Sequence, residues 1–259
     1  MKKELPLLRR SKGRGAIMVI DANGLHFQAL NRQIRETADA QIVIEHCCGQ
    51  RYIASGLSGK SIDIHGIPGN ALGAYLDSGR IFVHGNAQDA VGDTMNDGEI
   101  CIDGMAGDAA GYAMRGGRIF IRGDVGYRAG IHMKAYRDKQ PVMVIGGEAG
   151  SFLGEYQAGG TIVVLGLRTP AGRAPVGNFC GMGMHGGQIV LRSAAIPADF
   201  SERLLSRRAD EKDLTALRPA LDAFCAAFGE DPETLMAADF TILTPNSRNP
   251  YQQLYAAEQ

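Results

Sequence analysis

Four polar side chains able to bind a metal or carry charge recur along this sequence at intervals of 19 residues. They are His65, His84, Asp103 and Arg122. If the repeats stack, neighbouring members of this row would lie roughly 5 Å apart. Two imidazoles and a carboxylate can bind a metal ion, so a self-sufficient metal-dependent hydrolase using His65, His84 and Asp103 is one hypothesis. The favoured interpretation is a polar row facing solvent or an interface, in which Asp103 pairs with Arg122.

A second chemical candidate is the run His46-Cys47-Cys48, which could supply a thiol nucleophile and an imidazole base. Adjacent residues of a strand point to opposite faces, so only one of the two cysteines could serve. A buried thiol is the favoured interpretation, because free cysteine is among the most buried residue types.

A third candidate is the segment GMGMHG, residues 181–186, which matches the dinucleotide-binding pattern GxGxxG. That pattern needs a strand before it and a helix after it, so that the helix N-terminus meets the pyrophosphate. Here a strand-like run, Gln188 to Leu191, follows at once, and chance matches are expected in a chain with 35 glycines. We find no GxSxG, P-loop or HExxH motif, so catalysis by this chain alone has little support.

The elements that would position these residues come from a sequence motif repeated about seven times between Gly56 and Arg192. Each strand-like piece ends on a glycine, and the structural repeat glycines are Gly66, Gly85, Gly104, Gly123, Gly147 and Gly166. The steps between them are 19, 19, 19, 24 and 19 residues. A fixed period of this size predicts a solenoid.

Within each repeat, β-branched residues alternate, which predicts a short strand with one buried face. The residues four and two before each closing glycine, such as Ile62 and Ile64 or Ile81 and Val83, should stack as two apolar ladders. No six-residue register exists, so a right-handed parallel β-helix is favoured over a left-handed one. The predicted fold class is an all-β solenoid with an N-terminal α/β cap and a C-terminal helical extension.

A third ladder, three residues before each closing glycine, is apolar nearly throughout although it should point outward. Its members are Asp63, Phe82, Cys101, Phe120, Val144, Val163 and Val190. An exposed apolar stripe marks a covered surface, so either the C-terminal helices or a partner subunit should lie on it. An alternative is that both strand faces are internal to a thicker fold. We predict partner docking at Phe82, Cys101 and Phe120, and at Tyr251 and Tyr255 in the aromatic C-terminal tail.

Bulk composition narrows the class of protein. The formal net charge of −1, with charges of both signs interspersed, suggests no nucleic-acid partner and no membrane-surface partner. Five scattered cysteines, none in CxxC spacing, fit a reducing compartment and argue against a zinc site or iron–sulfur cluster held by this chain alone. No signal-peptide core or membrane-spanning run occurs, so we expect a cytoplasmic protein.

Composition also suggests three segments: a cap over residues 1–55, the repeats over 56–195, and helices with an extended tail over 196–259. The run 211–228 has leucines and phenylalanines at helical spacing. Insertions at 134–140 and 168–184 interrupt the period and should protrude as loops.

The repeats GRIFVHGNAQDAVGDTMNDG and EICIDGMAGDAAGYAMRGG resemble the GXGXG domain that closes the large subunit of glutamate synthase. The leader NGLHFQALNRQIRE (23–36), the run GQRYIASGL (49–57) and the tail SRNPYQQLY (247–255) resemble stand-alone versions of that domain. Related repeats occur in the C subunits of formylmethanofuran dehydrogenase and of formyltransferase/hydrolase complexes, and in a split methylglutamate synthase. The resemblance implies a right-handed β-helix that carries no catalytic residue.

The function predicted from this resemblance is a non-catalytic scaffold subunit of a glutamate synthase-type complex. Its expected partners are a glutaminase (amidotransferase) subunit and an FMN/iron–sulfur synthase subunit. FMN and iron–sulfur clusters would then reside on those partners, with no cofactor, catalytic residue or metal on this chain. The alternative is the C-type subunit of a formylmethanofuran dehydrogenase or formyltransferase/hydrolase complex, and in isolation the chain could form a homo-oligomer.

Overall fold

The computed structural model of the protein describes residues 17–246. The strands in this range are β1 (Ile17–Asp21), β2 (Gln41–Cys48), β3 (Lys60–Ile67), β4 (Gly79–His84), β5 (Glu99–Ile102), β6 (Arg118–Ile121), β7 (Val142–Ile145), β8 (Ala158–Val164), β9 (Gly186–Leu191), β10 (Leu204–Arg208) and β11 (Thr241–Pro245). The helices are α1 (Phe27–Glu36), α2 (Glu211–Phe228) and α3 (Pro232–Met236).

All eleven strands belong to one sheet, in the order β1-β2-β3-β4-β5-β6-β7-β8-β9-β11-β10. Strands β1 to β9 are parallel, and β11 and β10 complete the sheet in antiparallel orientation. The prediction of an all-β solenoid, a right-handed parallel β-helix, is therefore wrong. The molecule is of the α/β type, with a single, mostly parallel sheet and few helices.

The reason lies in the second half of each repeat, which forms turns where a β-helix would place further sheets. Non-glycine residues such as Ala71, Ala90 and Ala109 have φ values of 62°, 58° and 56° there, which an extended strand cannot contain. Isolated bridges, such as Ala87↔Ala106 and Ala106↔Val125, and single backbone hydrogen bonds link these segments, without forming a further ladder of strands in the described range. The terminal segments, predicted as a cap and an extension, supply strands at both ends of the same sheet.

The predicted register of the repeats is confirmed. Ile62 pairs with Ile81, Ile81 with Ile100 and Ile100 with Ile119, each a step of 19 residues. This ladder is almost completely buried, at 0–1% exposure. The turns pack on it closely: a Cβ added at Gly73 would lie 2.5 Å from Ile100 Cδ1. One face of the sheet is thus covered by the turns of its own repeats.

Helix α1 crosses between the parallel strands β1 and β2 and buries Leu30 and Ile34 in the same core. His26 caps it, accepting the Gln28 N–H at 3.4 Å. The first insertion forms an exposed turn closed by an isolated bridge between Tyr136 and Lys139, as predicted.

The other face of the sheet is covered by helix α2. Cys101, Phe120, Val144, Val163 and Val190 are completely buried beneath it. The Phe224 ring meets the Phe120 ring edge-on, with centroids 6.2 Å apart. Of the two predicted covers for this apolar ladder, the chain's own helix is the one present. Among residues 17–246, no helix is long and apolar enough to cross a membrane.

Candidate docking surface

The predicted polar row pairs its members with one another. The rings of His65 and His84 stack with centroids 4.3 Å apart, and His84 Nε2 lies 3.5 Å from Asp63 Oδ1. Arg122 donates to Asp103 Oδ1 at 3.0 Å, which confirms the predicted pair. Within the described range 17–246, no three metal-binding side chains come together. This row is therefore a set of surface contacts between strands.

The His46-Cys47-Cys48 run does not form a nucleophile and base. Cys47 is buried, as predicted for one of the thiols, and desolvation raises its pKa to about 11. Cys48 is exposed, and the imidazole of His46 is engaged with Asp21 at 3.0 Å. A thiol with so high a pKa is not a thiolate at neutral pH.

The GxGxxG match is a turn that leads directly into a strand. Gly181 and Gly183 have φ values of 67° and 68°, and β9 begins at Gly186. A helix N-terminus does not follow, so the segment lacks the geometry that binds a pyrophosphate. A Cβ at Gly183 would lie 2.7 Å from the Tyr156 ring, so this glycine instead allows close packing of that ring.

The repeat glycines meet two different needs, and Gly66 meets both, because an added Cβ there would also lie 2.1 Å from the Cys47 carbonyl oxygen. Gly66 and Gly85 have φ values of 123° and 153°, a region that favours glycine. Gly104 and Gly123 are required by the close approach of stacked backbones, because an added Cβ would lie 2.6 Å and 2.7 Å from the carbonyl oxygen of the preceding repeat glycine. Neither group is placed to do chemistry.

The predicted docking residues fall in three different environments. Cys101 and Phe120 lie under α2, so a partner cannot reach them in this structure. Phe82 is half-buried at the edge of the covered area, 6.2 Å from the Phe228 ring. Tyr251 and Tyr255 lie outside the described residues.

A surface that the sequence reading missed lies on the turns between the later strands. Six rings form it, and we call it the aromatic face: Tyr112, Tyr127, His132, Phe152, Tyr156 and Phe179. Four of them, Tyr112, Tyr127, Tyr156 and Phe179, are 37–51% exposed. Monomeric proteins rarely expose contiguous apolar groups of this kind without a function.

The rings form two rows that are held together by an ion pair. In one row the Tyr127–Phe152 and Phe152–Phe179 centroids are 6.4 Å and 4.9 Å apart. In the other row the Tyr112–His132 and His132–Tyr156 centroids are 5.9 Å and 5.3 Å apart. Arg128 lies over the Phe152 ring, and its Nε is 3.1 Å from Glu155 Oε2, beside Tyr156. The charges on this surface are thereby balanced.

The turn itself does not need these rings. Equivalent residues of successive repeats share a backbone hydrogen bond. The N–H of each residue in the series, except the last, donates to the carbonyl oxygen of the residue that precedes the next one. The series is Tyr52, Ala71, Ala90, Ala109, Arg128, Phe152 and Phe179, with φ between 56° and 63°. Three repeats thus fill the position with alanine, and the other four fill it with a large side chain that is exposed or half-buried.

Exposed aromatic rings around an arginine match the composition of binding hot spots. The signal in the sequence is a column of aromatic residues in the later repeats. Phe152 lies five residues after Gly147, as Arg128 does after Gly123, but Phe179 lies thirteen residues after Gly166, so the second insertion hides the column at that position.

Comparison with known proteins agrees with the repeat pattern. The family model described as "GXGXG motif" matches residues 29–246. An uncharacterized protein of Methanocaldococcus jannaschii is 43% identical over 254 residues, covering 93% of this chain and 97% of the relative.

Among solved structures, a chain of the formyltransferase/hydrolase complex from Methylorubrum extorquens, determined with methylofuran, is similar with a TM-score of 0.57. The identity is 21%, over 84% of this chain and 87% of that chain, so the likeness is one of fold. Because the family model spans most of the sequence, this chain belongs to the GXGXG motif family.

Proposed function

We propose that this chain is an assembly subunit of a multi-subunit complex of the formyltransferase/hydrolase kind, and that its aromatic face binds a partner subunit. The similar solved structure comes from a complex of that name, which favours this kind of assembly over other kinds. The observation that carries the docking role is the series Arg128, Phe152 and Phe179, exposed or half-buried at turn positions where three earlier repeats have alanine.

The side chains that could take part in catalysis are paired or buried, which supports a non-catalytic role. Asp103 is engaged with Arg122, and Arg122 also reaches Glu230 at 3.4 Å. Cys47, buried with a raised pKa, is a poor nucleophile. In this proposal the catalytic groups and any cofactors belong to the partner subunits. The five cysteines, all within the described residues, are free, in keeping with a proposed cytoplasmic location.

The proposed interface has a centre and a rim. Phe152 is half-buried and in contact with Tyr127, Phe179 and Arg128, so it sits centrally. Central aromatic and arginine side chains are those whose truncation costs more than about 1 kcal/mol of binding free energy. We therefore expect Phe152 to contribute more to binding than Tyr112 at the end of the other row.

A glutamate synthase-type complex is the second candidate, favoured by the leader segments at residues 23–36 and 49–57. They meet at a polar cavity of about 460 Å³ lined in part by His26, Phe27 and Arg51. The Arg51 guanidinium lies 4.6 Å from the Phe27 ring centroid. In this alternative the partners would be a glutaminase subunit and an FMN/iron–sulfur synthase subunit.

Affinity purification of the tagged full chain from its native source, followed by mass spectrometry, tests the proposal and separates the two candidates. We expect a formyltransferase or hydrolase subunit to co-purify in near-stoichiometric amount. Recovery of a glutaminase and a flavoprotein instead would favour the second candidate. Recovery of the chain alone, under gentle conditions and at low salt, would contradict both.

A further inference from the structure

Strand β1 leaves one edge of the sheet unpaired within residues 17–246. It is the first strand of the sheet, and in this range it pairs with β2 alone. The Ala22 N–H, just after β1, donates to the Glu45 carbonyl at 2.8 Å, so the even-numbered residues of β1 direct their backbone groups to β2. The N–H and C=O groups of Ile17, Val19 and Asp21 therefore point away from the sheet. We call these three residues the open edge.

The open edge lacks the features that keep the end strand of a sheet from pairing with another chain. Such strands usually carry lysine, proline or a bulge. The sequence of β1, IMVID, has neither lysine nor proline, and its pairing with β2 is regular. Its one charged residue, Asp21, contacts His46 at 3.0 Å. Ile17 and Val19 are 38% and 44% exposed, so apolar side chains accompany the unpaired backbone groups. The open edge therefore suits the addition of another strand.

The strand at the opposite end of the sheet is charged. Two of the five residues of β10 are Arg207 and Arg208, which form ion pairs with Asp213 and Asp239. Charged side chains on an end strand oppose the addition of another strand. Pairing of β1 with β10 of another molecule is therefore disfavoured, and so is the open filament that this pairing would build. The pairing that remains joins β1 to β1 of a second copy.

Strand β1 is complementary to a second copy of itself. Two copies related by a two-fold axis run antiparallel, and with Val19 at the axis their open edges exchange about six backbone hydrogen bonds. The two Val19 residues then face each other with Cα atoms about 5.5 Å apart, and β-branched apolar pairs of this kind stabilise a sheet. Asp21 lies opposite Ile17 of the second copy. The two Asp21 carboxylates are thus about 13 Å apart along the strands, where solvent screens their repulsion.

We propose that two copies of this chain form a symmetric dimer in which the two β1 strands pair and the two sheets become one. The aromatic face lies on turns that follow β5 and later strands, so pairing at β1 leaves it accessible. The consequence for assembly rests on the proposed function: the dimer would bring two sets of partner subunits into one complex. The dimer itself is measured on this chain without any partner, so the two proposals can fail separately.

Sedimentation velocity of the full-length chain, between about 0.5 and 50 μM, tests the dimer. The wild type should reach the mass of a dimer. Val19→Lys places two lysines opposite each other across the axis and should raise the dissociation constant at least tenfold. Leu205→Lys is the matched control, because Leu205 is 52% exposed on β10, and it should leave the dimer unchanged. A wild type that stays monomeric throughout, or equal effects of the two lysines, would overturn the proposal.

Cross-linking locates the contact and guards against an indirect effect of the lysines. The background is Cys48→Ser, which removes the exposed native thiol. In it, Val19→Cys should give a covalent dimer with a short bifunctional thiol reagent, because the two residues face each other across the axis. Leu205→Cys in the same background should give none. Thermal melts followed by circular dichroism verify that both variants are folded. Cross-linking through position 205 but not through position 19 would assign the contact to β10 and overturn the proposal.

Discussion

The guanidinium carbon of Arg128 lies 4.6 Å from the centroid of the Phe152 ring, and these two residues occupy the same turn position in successive repeats. In three earlier repeats that position is alanine, with the same positive φ. The fold thus repeats a backbone conformation while the side chains on it change: Tyr52 is followed by three alanines, and these by Arg128, Phe152 and Phe179. This change marks the part of the surface where we place function.

The first prediction is that the aromatic face contributes little to stability. Phe152→Ala should change the free energy of unfolding by less than about 1 kcal/mol, because the ring is half-buried on the surface and alanine already fills the equivalent turns. Thermal unfolding of wild type and variant checks this. A loss comparable to that of a core phenylalanine would mean that the ring is part of the fold rather than of a binding surface.

The second prediction concerns Phe224, which holds helix α2 on the sheet. It is fully buried, 6.2 Å from the Phe120 ring and 5.0 Å from the Phe228 ring. Phe224→Ala should cost about 3–5 kcal/mol of unfolding free energy, the range for a large-to-small change in a core. Denaturant titration measures it, with the exposed Phe179→Ala as the matched control. Equal effects of the two changes would contradict the packing described.

The third prediction separates two reasons for glycine. At Gly104 the backbone conformation is ordinary, but an added Cβ would lie 2.6 Å from the Gly85 carbonyl oxygen, and real Cβ atoms do not come so close. At Gly172 there is open space, and only the φ of 83° disfavours a side chain. Gly172→Ala should therefore cost about 1–2 kcal/mol, and Gly104→Ala clearly more. The opposite order would refute the close stacking of repeats.

The sequence predicts the sheet register because apolar alternation and a 19-residue period are both visible in it. Ile62, Ile81 and Ile100 pair as expected, and α2 forms where the apolar spacing predicts a helix. The period also suggested a solenoid, which is wrong, because a repeat length does not reveal which half of each repeat is extended. Positive φ at Ala71 and Ala90 turns the second half of each repeat into a bend. An alanine in the sequence does not predict a positive φ.

The candidate site was harder to predict than the fold. The sequence predicts docking at Cys101 and Phe120 because their apolar ladder should face outward, but α2 covers both. Phe152 keeps the five-residue spacing from its closing glycine, Gly147, whereas the second insertion places Phe179 thirteen residues after Gly166 and out of the alignment. Their proximity, 4.9 Å between ring centroids, depends on stacking that only the three-dimensional structure supplies.

The fourth prediction concerns pH. A hydrogen bond from Arg207 lowers the pKa of Asp213 from 3.8 to about 2. Because the folded-state pKa is the lower one, the carboxylate stabilises the folded state above about pH 4, and this stabilisation is lost as the pH falls toward 2. Asp213→Asn should therefore lower the melting temperature at pH 6 and have little effect at pH 2. A uniform effect at both pH values would exclude this ion pair as the cause.

The most direct test of the docking role is partner recovery by full-length chains purified from the native source. Wild type, Phe152→Ala/Phe179→Ala and the control Tyr136→Ala would be tagged identically and compared by quantitative mass spectrometry. We expect the double variant to lose at least 90% of the co-purifying subunit while remaining folded, and the control to retain it. Full retention of the partner by the folded double variant would contradict the assignment of the aromatic face as the binding surface.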